Sequence, residues 1–336
     1  MAKQNSMKNF RTTFNIPTSS NSIDYNTKTM LIGSCFSDNI GNKLEALKFN
    51  VLRNPHGVLY NPYSVQETLN FALGNRELQD NDLVYHNDLW HSYLHHSSFS
   101  EAEKQKLIAR IETTRKETLA YLKSINTLFI TFGTAWVYEL KSSHKIVSNC
   151  HKIPSAAFKR FRLSTCDIVD EFSILIRRLQ ELNPELQIVF TLSPIRHLKD
   201  GAVENQLSKS ILKVAIHELI EMHEQCSYFP SYELVMDDLR DYRYYADDMT
   251  HLSASAIAYI FERFAEVYIP EAARQIISRV EKLNRAVSHK PFNTQSESHQ
   301  KFIKTTINQI KALNKEFSSQ DWSNELQILN AQIIKT

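Results

Sequence analysis

The chain has 336 residues, 42% of them apolar and 23% charged, which is the balance of an ordinary globular protein rather than a disordered one. Its 39 basic residues against 37 acidic ones leave a net charge of +2, which argues against nucleic acid and against an anionic membrane surface as partners. Cys35, Cys150, Cys166 and Cys226 stand far apart with no C-x-x-C, so neither a zinc knuckle nor a disulfide framework is indicated.

Met1 to Arg11 carries basic residues but no apolar run, and no later stretch is long and apolar enough to span a bilayer. A cytoplasmic chain is expected. A Ser/Asn-rich lead-in then gives way to Thr29-Met30-Leu31-Ile32, a buried strand that runs through Gly33-Ser34 straight into a helix on Phe36, Ile40, Leu44 and Leu47. Asn50 to Arg53 reads as a second strand, Asn54-Pro55-His56-Gly57 as the turn at its carboxyl end, and Pro62 onward as a helix on Val65, Leu69 and Phe71.

An insertion at about 75–124 follows, with the oddest composition in the chain: Trp90, His91, His95 and their aromatic neighbours, then a charged helix. On a helix His91 and His95 would share one face as metal ligands, but no third ligand stands at a recognisable spacing. A substrate-facing loop and no metal site are expected. Asn126 to Phe132 is a buried strand ended by Gly133-Thr134, and a hairpin is read through Trp136-Val137-Tyr138 and Lys145-Ile146-Val147. A helix over 164–182 leads to a strand over 187–192 that ends in Ser193-Pro194-Ile195-Arg196-His197. Another helix at about 206–225 precedes Tyr232-Glu233-Leu234-Val235-Met236, read as the fifth strand.

If the sheet is parallel, the strand ends at 33, 54, 133 and 193 converge on one crevice. Arg196 is the candidate there for an anionic substrate group, unless it pairs with Asp200, Glu204 or another acid. Asp248-Met249-Thr250-His251 places an acid three residues before a histidine, ahead of a helix on Ile257, Ile260, Phe261 and Phe264. In that spacing Asp248 holds the Nδ1 proton of His251, leaving Nε2 to take the proton of Ser34, whose oxyanion would form at the N-terminus of the following helix. The competing reading makes these residues helix caps and turn residues. His197 rivals His251 as base but lacks a carboxylate at a fixed short offset. Cys35 is ranked low as nucleophile, because in the turn it should point away from Ser34. After a polar linker at Pro291 to Ser298, Ile303, Ile307 and Ile310, then Trp322, Leu326 and Leu329, read as a helical appendage that docks on the domain or on another subunit. The expected division is 1–288 and 289–336, with a homodimer left open. No P-loop or G-x-G-x-x-G is present, and no cofactor is expected.

Gly33-Ser34-Cys35-Phe36, with Asn54-Pro55-His56-Gly57-Val58-Leu59-Tyr60-Asn61-Pro62 behind it, resembles the signature of the GSCFA family, although Ser37 stands where the motif has alanine. Gly133-Thr134-Ala135-Trp136, Asn149-Cys150-His151-Lys152, Ser193 to His197, Tyr228 to Glu233 and Asp248-x-x-His251 follow in the family's order, so the resemblance covers about residues 8–270. That family is similar to the SGNH (GDSL-like) hydrolases. The resemblance implies a flavodoxin-like three-layer α/β/α sandwich with five parallel strands, and a serine esterase acting on an acyl ester, an acylated sugar being the class suggested by analogy. It also implies that Ser34 and Gly57 give backbone N–H groups to the oxyanion hole. The relatives' Gly-x-Asn is here Gly133-Thr134-Ala135, so its amide donor is missing and Asn149 is the named replacement. An acyltransferase with the same triad, or a non-catalytic binding module on an esterase fold, are the alternatives.

Overall fold

The computed structural model describes residues 11–317 and 321–334, so most of the basic N-terminal stretch lies outside the described residues. In chain order the strands are β1 (Lys28–Gly33), β2 (Asn50–Arg53), β3 (Leu83–His86), β4 (Leu89–Ser92), β5 (Thr127–Phe132), β6 (Trp136–Leu140), β7 (Lys145–Val147), β8 (Phe158–Arg162), β9 (Gln187–Leu192) and β10 (Cys226–Phe229). The helices are α1 (Cys35–Ala46), α2 (Pro62–Leu73), α3 (Lys104–Leu122), α4 (Thr165–Leu182), α5 (Ala202–Met222), the single turn α6 (Ser231–Glu233), α7 (Ala254–Tyr268), α8 (Glu271–Ser288), α9 (Glu297–Glu316) and α10 (Ser323–Asn330).

Five strands form a parallel sheet in the order β10-β9-β5-β1-β2, the flavodoxin-like arrangement. Its strands are buried on both faces, so they read as continuous apolar runs whose alternate side chains feed two cores. Met30 and Ile32 of β1, with Leu128, Ile130 and Phe132 of β5, pack among Val65 and Leu69 of α2, Ile168 and Phe172 of α4, and Leu212 and Ile216 of α5. Leu31 and Phe129 point the other way, to Phe36 and Ile40 of α1 and Ile260 and Phe264 of α7. Val280 of α8, Ile303 and Ile310 of α9, and Trp322 belong to that second core.

The fifth strand lies four residues or more earlier than the sequence reading placed it. Residues 231–238 instead wind as helical turns, where the Ser231 hydroxyl donates to the Leu192 carbonyl at 2.8 Å and bonds to Thr191 Oγ1. The insertion also differs, since His91 lies on the β3–β4 hairpin and not on a helix. The β6–β7 hairpin forms as read, and β8 joins β6 on its other side as a third antiparallel strand. No helix among the described residues is long and apolar enough to cross a membrane.

Chain direction across the sheet reverses between β1 and β5, because β2 lies to one side of β1 while β5, β9 and β10 lie to the other. A crevice opens there, outside the carboxyl ends of the strands.

Candidate active site

Ser34 follows β1 and caps α1 in an extended conformation, yet its side chain makes no capping bond. Its Oγ is buried without a hydrogen-bond partner among the described residues, and the residue is 2% exposed. Leaving a buried hydroxyl unpaired costs about 1–3 kcal/mol, so the turn must be held by its surroundings. Gly33 has φ +127°, and a Cβ there would sit 2.2 Å from the Thr131 carbonyl oxygen, so only glycine fits. The Gly33 N–H donates to Asn54 Oδ1 at 2.9 Å, and Asn54 Nδ2 donates to Asp38 Oδ1 at 2.7 Å. Ser37, the departure from the family motif, donates to the Ile32 carbonyl at 3.0 Å and lies 2.7 Å from Thr131 Oγ1, tying α1 to β5.

The loop after β2 is stitched over this turn. Leu59 N–H donates to the Gly33 carbonyl at 2.9 Å, while Gly133 and Thr134 N–H both donate to the Tyr60 carbonyl, at 2.8 and 2.9 Å. These bonds change the expected oxyanion hole. The Ser34 N–H donates to the Thr131 carbonyl at 3.3 Å, and the Gly57 N–H is spent on the Asn54 carbonyl at 2.8 Å, closing its own turn. Asn149 does line the crevice, but its Nδ2 donates to Ser97 Oγ at 3.2 Å and its Oδ1 accepts from His151 N–H at 2.9 Å. Donors without a partner among the described residues include the Cys35 N–H, first of α1, and Asn61 Nδ2. Asn61 caps α2 through Oδ1, which accepts from Ser64 N–H at 2.8 Å, and it lines the crevice. The Asn61-Pro62 step marks it as a helix cap in the sequence, but nothing there places its amide beside Ser34.

On the opposite rim, His251 Nδ1 lies 2.5 Å from Asp248 Oδ2, and Asp248 Oδ1 accepts from the N–H groups of Thr250 and His251 at 2.9 and 2.8 Å. The bond to His251, then these two N–H groups, hold the Asp248 carboxyl down at about 2. Both side chains are about half exposed, 51% for Asp248 and 55% for His251. His251 lines the crevice, although no hydrogen bond joins it to Ser34.

His197 also lines the crevice. A Cβ on Gly133 would be 3.3 Å from Ser34 Cβ and 3.6 Å from His197 Nε2, so serine and imidazole flank the same glycine. Burial, then the Lys209 charge, push His197 down to about 4, which keeps it neutral. Lys209 itself is 1% exposed, and its ammonium donates to the carbonyls of Gly133 at 2.5 Å and Ser193 at 2.7 Å, pinning together the carboxyl ends of β5 and β9. Burial, with Arg196 adding, pushes it down to about 7. Sequence reasoning missed Lys209, whose signal is a lysine on the same helical stripe as Leu212 and Ile216.

Cys35 lines the crevice against the Tyr60 hydroxyl, whereas Ser34 is not among the lining residues. Burial, then the Asp38 charge, push its thiol up, the wrong direction for a nucleophile. Trp90 and His91 are not among the residues lining the crevice. His91 is bonded to Ser100 Oγ at 2.6 Å and to the His86 carbonyl at 2.9 Å, and it stacks on His151. His95 is likewise internal, linked to His56 at 3.1 Å and Ser92 Oγ at 2.8 Å. The insertion's histidines are therefore packing and hydrogen-bonding groups. No cluster of three or more His, Cys, Asp or Glu among the described residues could hold a metal ion.

A parallel five-stranded sandwich with a serine at its switch point defines a flavodoxin-like α/β/α protein. The chain belongs to the GSCFA family: the model of that family matches residues 28–264, and that of the GSCFA domain protein, C-terminal domain, matches 280–335. No curated protein matches it. Similar solved structures include a carbohydrate esterase family 2 enzyme plus carbohydrate binding domain from Corynascus thermopiles (Myceliophthora fergusii), 12% identical over 78% of this chain and 69% of that one, with a TM-score of 0.38. Carbohydrate esterases of family 3 from Talaromyces cellulolyticus and Clostridium thermocellum are each 8% identical with a TM-score of 0.34, covering 76% and 77% of this chain and 99% and 98% of theirs.

Proposed function

We propose that this chain is a serine esterase acting on an acyl ester. Ser34 Oγ attacks the ester carbonyl as His251 Nε2 takes its proton, and Asp248 keeps the Nδ1 proton of His251 in place. The resulting imidazolium returns the proton to the leaving alkoxide, and water then repeats the sequence on the acyl-serine. The Cys35 N–H and the Asn61 amide receive the oxyanion, since the N–H groups of Ser34, Gly57, Gly133 and Thr134 are engaged elsewhere and the Asn149 amide is tied to Ser97 through one of its two hydrogens. The observation that carries this reading is the unpartnered, buried Ser34 hydroxyl at the head of α1, next in the chain to Cys35, which lines the same crevice as the carboxylate-held His251. Closing the chain requires Ser34 Oγ to turn out toward the crevice, and catalytic bonds of this kind often tighten only with substrate bound.

The missing Ser34–His251 bond favours a second reading, a binding module that keeps the fold without the chemistry. A fluorophosphonate probe separates the two. Labelling of the wild-type chain at Ser34, with loss of both labelling and short-chain ester turnover by about 10⁴-fold or more in Ser34→Ala, is the expected result. An unlabelled but folded wild-type chain would leave the binding module standing.

A further inference from the structure

The crevice encloses about 590 Å³, and Arg160, Arg196, Lys199 and Asp200 are its formally charged lining residues. Three cations against one carboxylate give this single cavity an excess equal to that of the whole chain, whose net charge is +2. The acids that could neutralise it are already taken. Asp200 accepts from Arg160 at 2.6 Å with its side chain 6% exposed, and Glu204 pairs with Arg162. Arg196 reaches only the Met236 sulfur, at 3.1 Å, and neither it nor Lys199 has a carboxylate partner among the described residues. Behind the wall the buried Lys209 ammonium is bonded to two carbonyls and to no acid.

The aromatic residues bear on the same question. Trp136 and Tyr138 line the crevice where a neutral pyranose would stack, but the Arg160 guanidinium lies 4.1 Å from the Trp136 centroid and 5.4 Å from that of Tyr138. Arg162 lies 5.0 Å from the same indole. These rings are engaged by cations and are poorly placed as a bare sugar platform.

We infer that the substrate is an anionic ester, whose carboxylate, phosphate or sulfate group is held by Arg196, with Lys199 adding charge, while its ester carbonyl meets Ser34. A guanidinium without a carboxylate partner is the side chain best suited to such a group, and a cleft lined by one sign of charge raises the local concentration of the opposite one. The placement is consistent, because Arg196 immediately precedes His197, whose ring flanks Gly133 with Ser34. This inference rests on the esterase reading for the bond that is cut, but the anion site does not depend on that bond.

The test compares two matched pairs of chromogenic esters. Mono-4-nitrophenyl succinate against 4-nitrophenyl butyrate puts the charge on the acyl side; 3-carboxy-4-nitrophenyl acetate against 4-nitrophenyl acetate puts it on the leaving group. The anionic member of at least one pair should have the higher kcat/KM, by about tenfold at low ionic strength, and the ratio should shrink as salt is added. Arg196→Gln should collapse that ratio mainly through KM, Arg196→Lys should restore part of it, and Lys199→Gln should lower it less. Equal or neutral-favouring ratios in both pairs, or a ratio that Arg196→Gln leaves unmoved, would overturn the inference. If no ester of either charge is turned over, the esterase reading fails instead. Calorimetric binding of mono-4-nitrophenyl succinate then decides the anion site: binding weakened by Arg196→Gln sustains it, and no binding sinks it.

Discussion

The two halves of the candidate triad are built in opposite ways. Ser34 is fixed from outside its own segment: β5 forbids a side chain at Gly33, Asn54 receives the Gly33 N–H, and the Tyr60 carbonyl ties down the end of β5. Asp248 and His251 are fixed from within theirs. Among the described residues Asp248 bonds to Thr250 and His251 alone, the Ala246 N–H closes the turn on the His251 carbonyl at 2.8 Å, and Met249 takes the left-handed conformation, φ 55°, that the turn demands. One side is buried and held by the sheet, while the other is an exposed four-residue device. The comparison teaches that a nucleophile's position can be a property of the whole fold while the base and its orienting acid travel as a local unit.

If the exposed turn is the catalytic base and more than a helix entry, Asp248→Asn should cut kcat by about 10³-fold, close to 4 kcal/mol of barrier. The amide oxygen still accepts from Thr250 and His251, so thermal stability should hardly move. A full-rate Asp248→Asn enzyme would reduce the turn to a structural cap and shift attention to His197.

The buried side has a matching test at Asn61. Asn61→Ser keeps an oxygen to cap α2 but removes the amide, so kcat should fall by about 10²-fold with KM and melting temperature nearly unchanged. A loss of stability with unchanged kcat would mean that the residue serves the helix alone.

A third test probes the buried interior by pH. Burial pushes His56 down to about 3 and His151 and His197 to about 4, and it holds His95 well below its ordinary value. Their unfolded counterparts titrate near 6.5, so the unfolded chain binds more protons as pH drops below that value. The stability these neutral rings contribute is complete above about pH 6.5 and is lost as pH falls toward 4, by up to about 1.4 kcal/mol per pH unit for each fully buried ring. Urea midpoints should drop over that window. Flat midpoints there would show that these histidines are not held neutral by the fold.

Much of this was legible in the sequence where the cause is local. Apolar runs identify β1, β5 and β9, Gly33 announces a turn that only glycine can make, and the Asp248-x-x-His251 spacing gives the bonded pair itself. The misplaced fifth strand shows the limit of the same signal, since Tyr232 to Met236 is as apolar as a strand but is wound into helical turns behind β10. The histidine-rich hairpin invited a functional reading because composition does not reveal that His56 and His95 bond to each other inside the protein.

What the sequence by itself determined was four of the five sheet strands, the helices between them and the identity of Ser34, Asp248 and His251 as candidates, because period, turn chemistry and short spacing act over a few residues. What only the tertiary structure decided was which polar groups are already spent. The N–H groups of Ser34, Gly57, Gly133 and Thr134 are donors by chemistry, but partners distant in sequence or in their own turns consume them, whereas Asn61 and Arg196 are left with capacity. A hydrogen bond is exclusive, so the availability of a donor depends on everything folded against it.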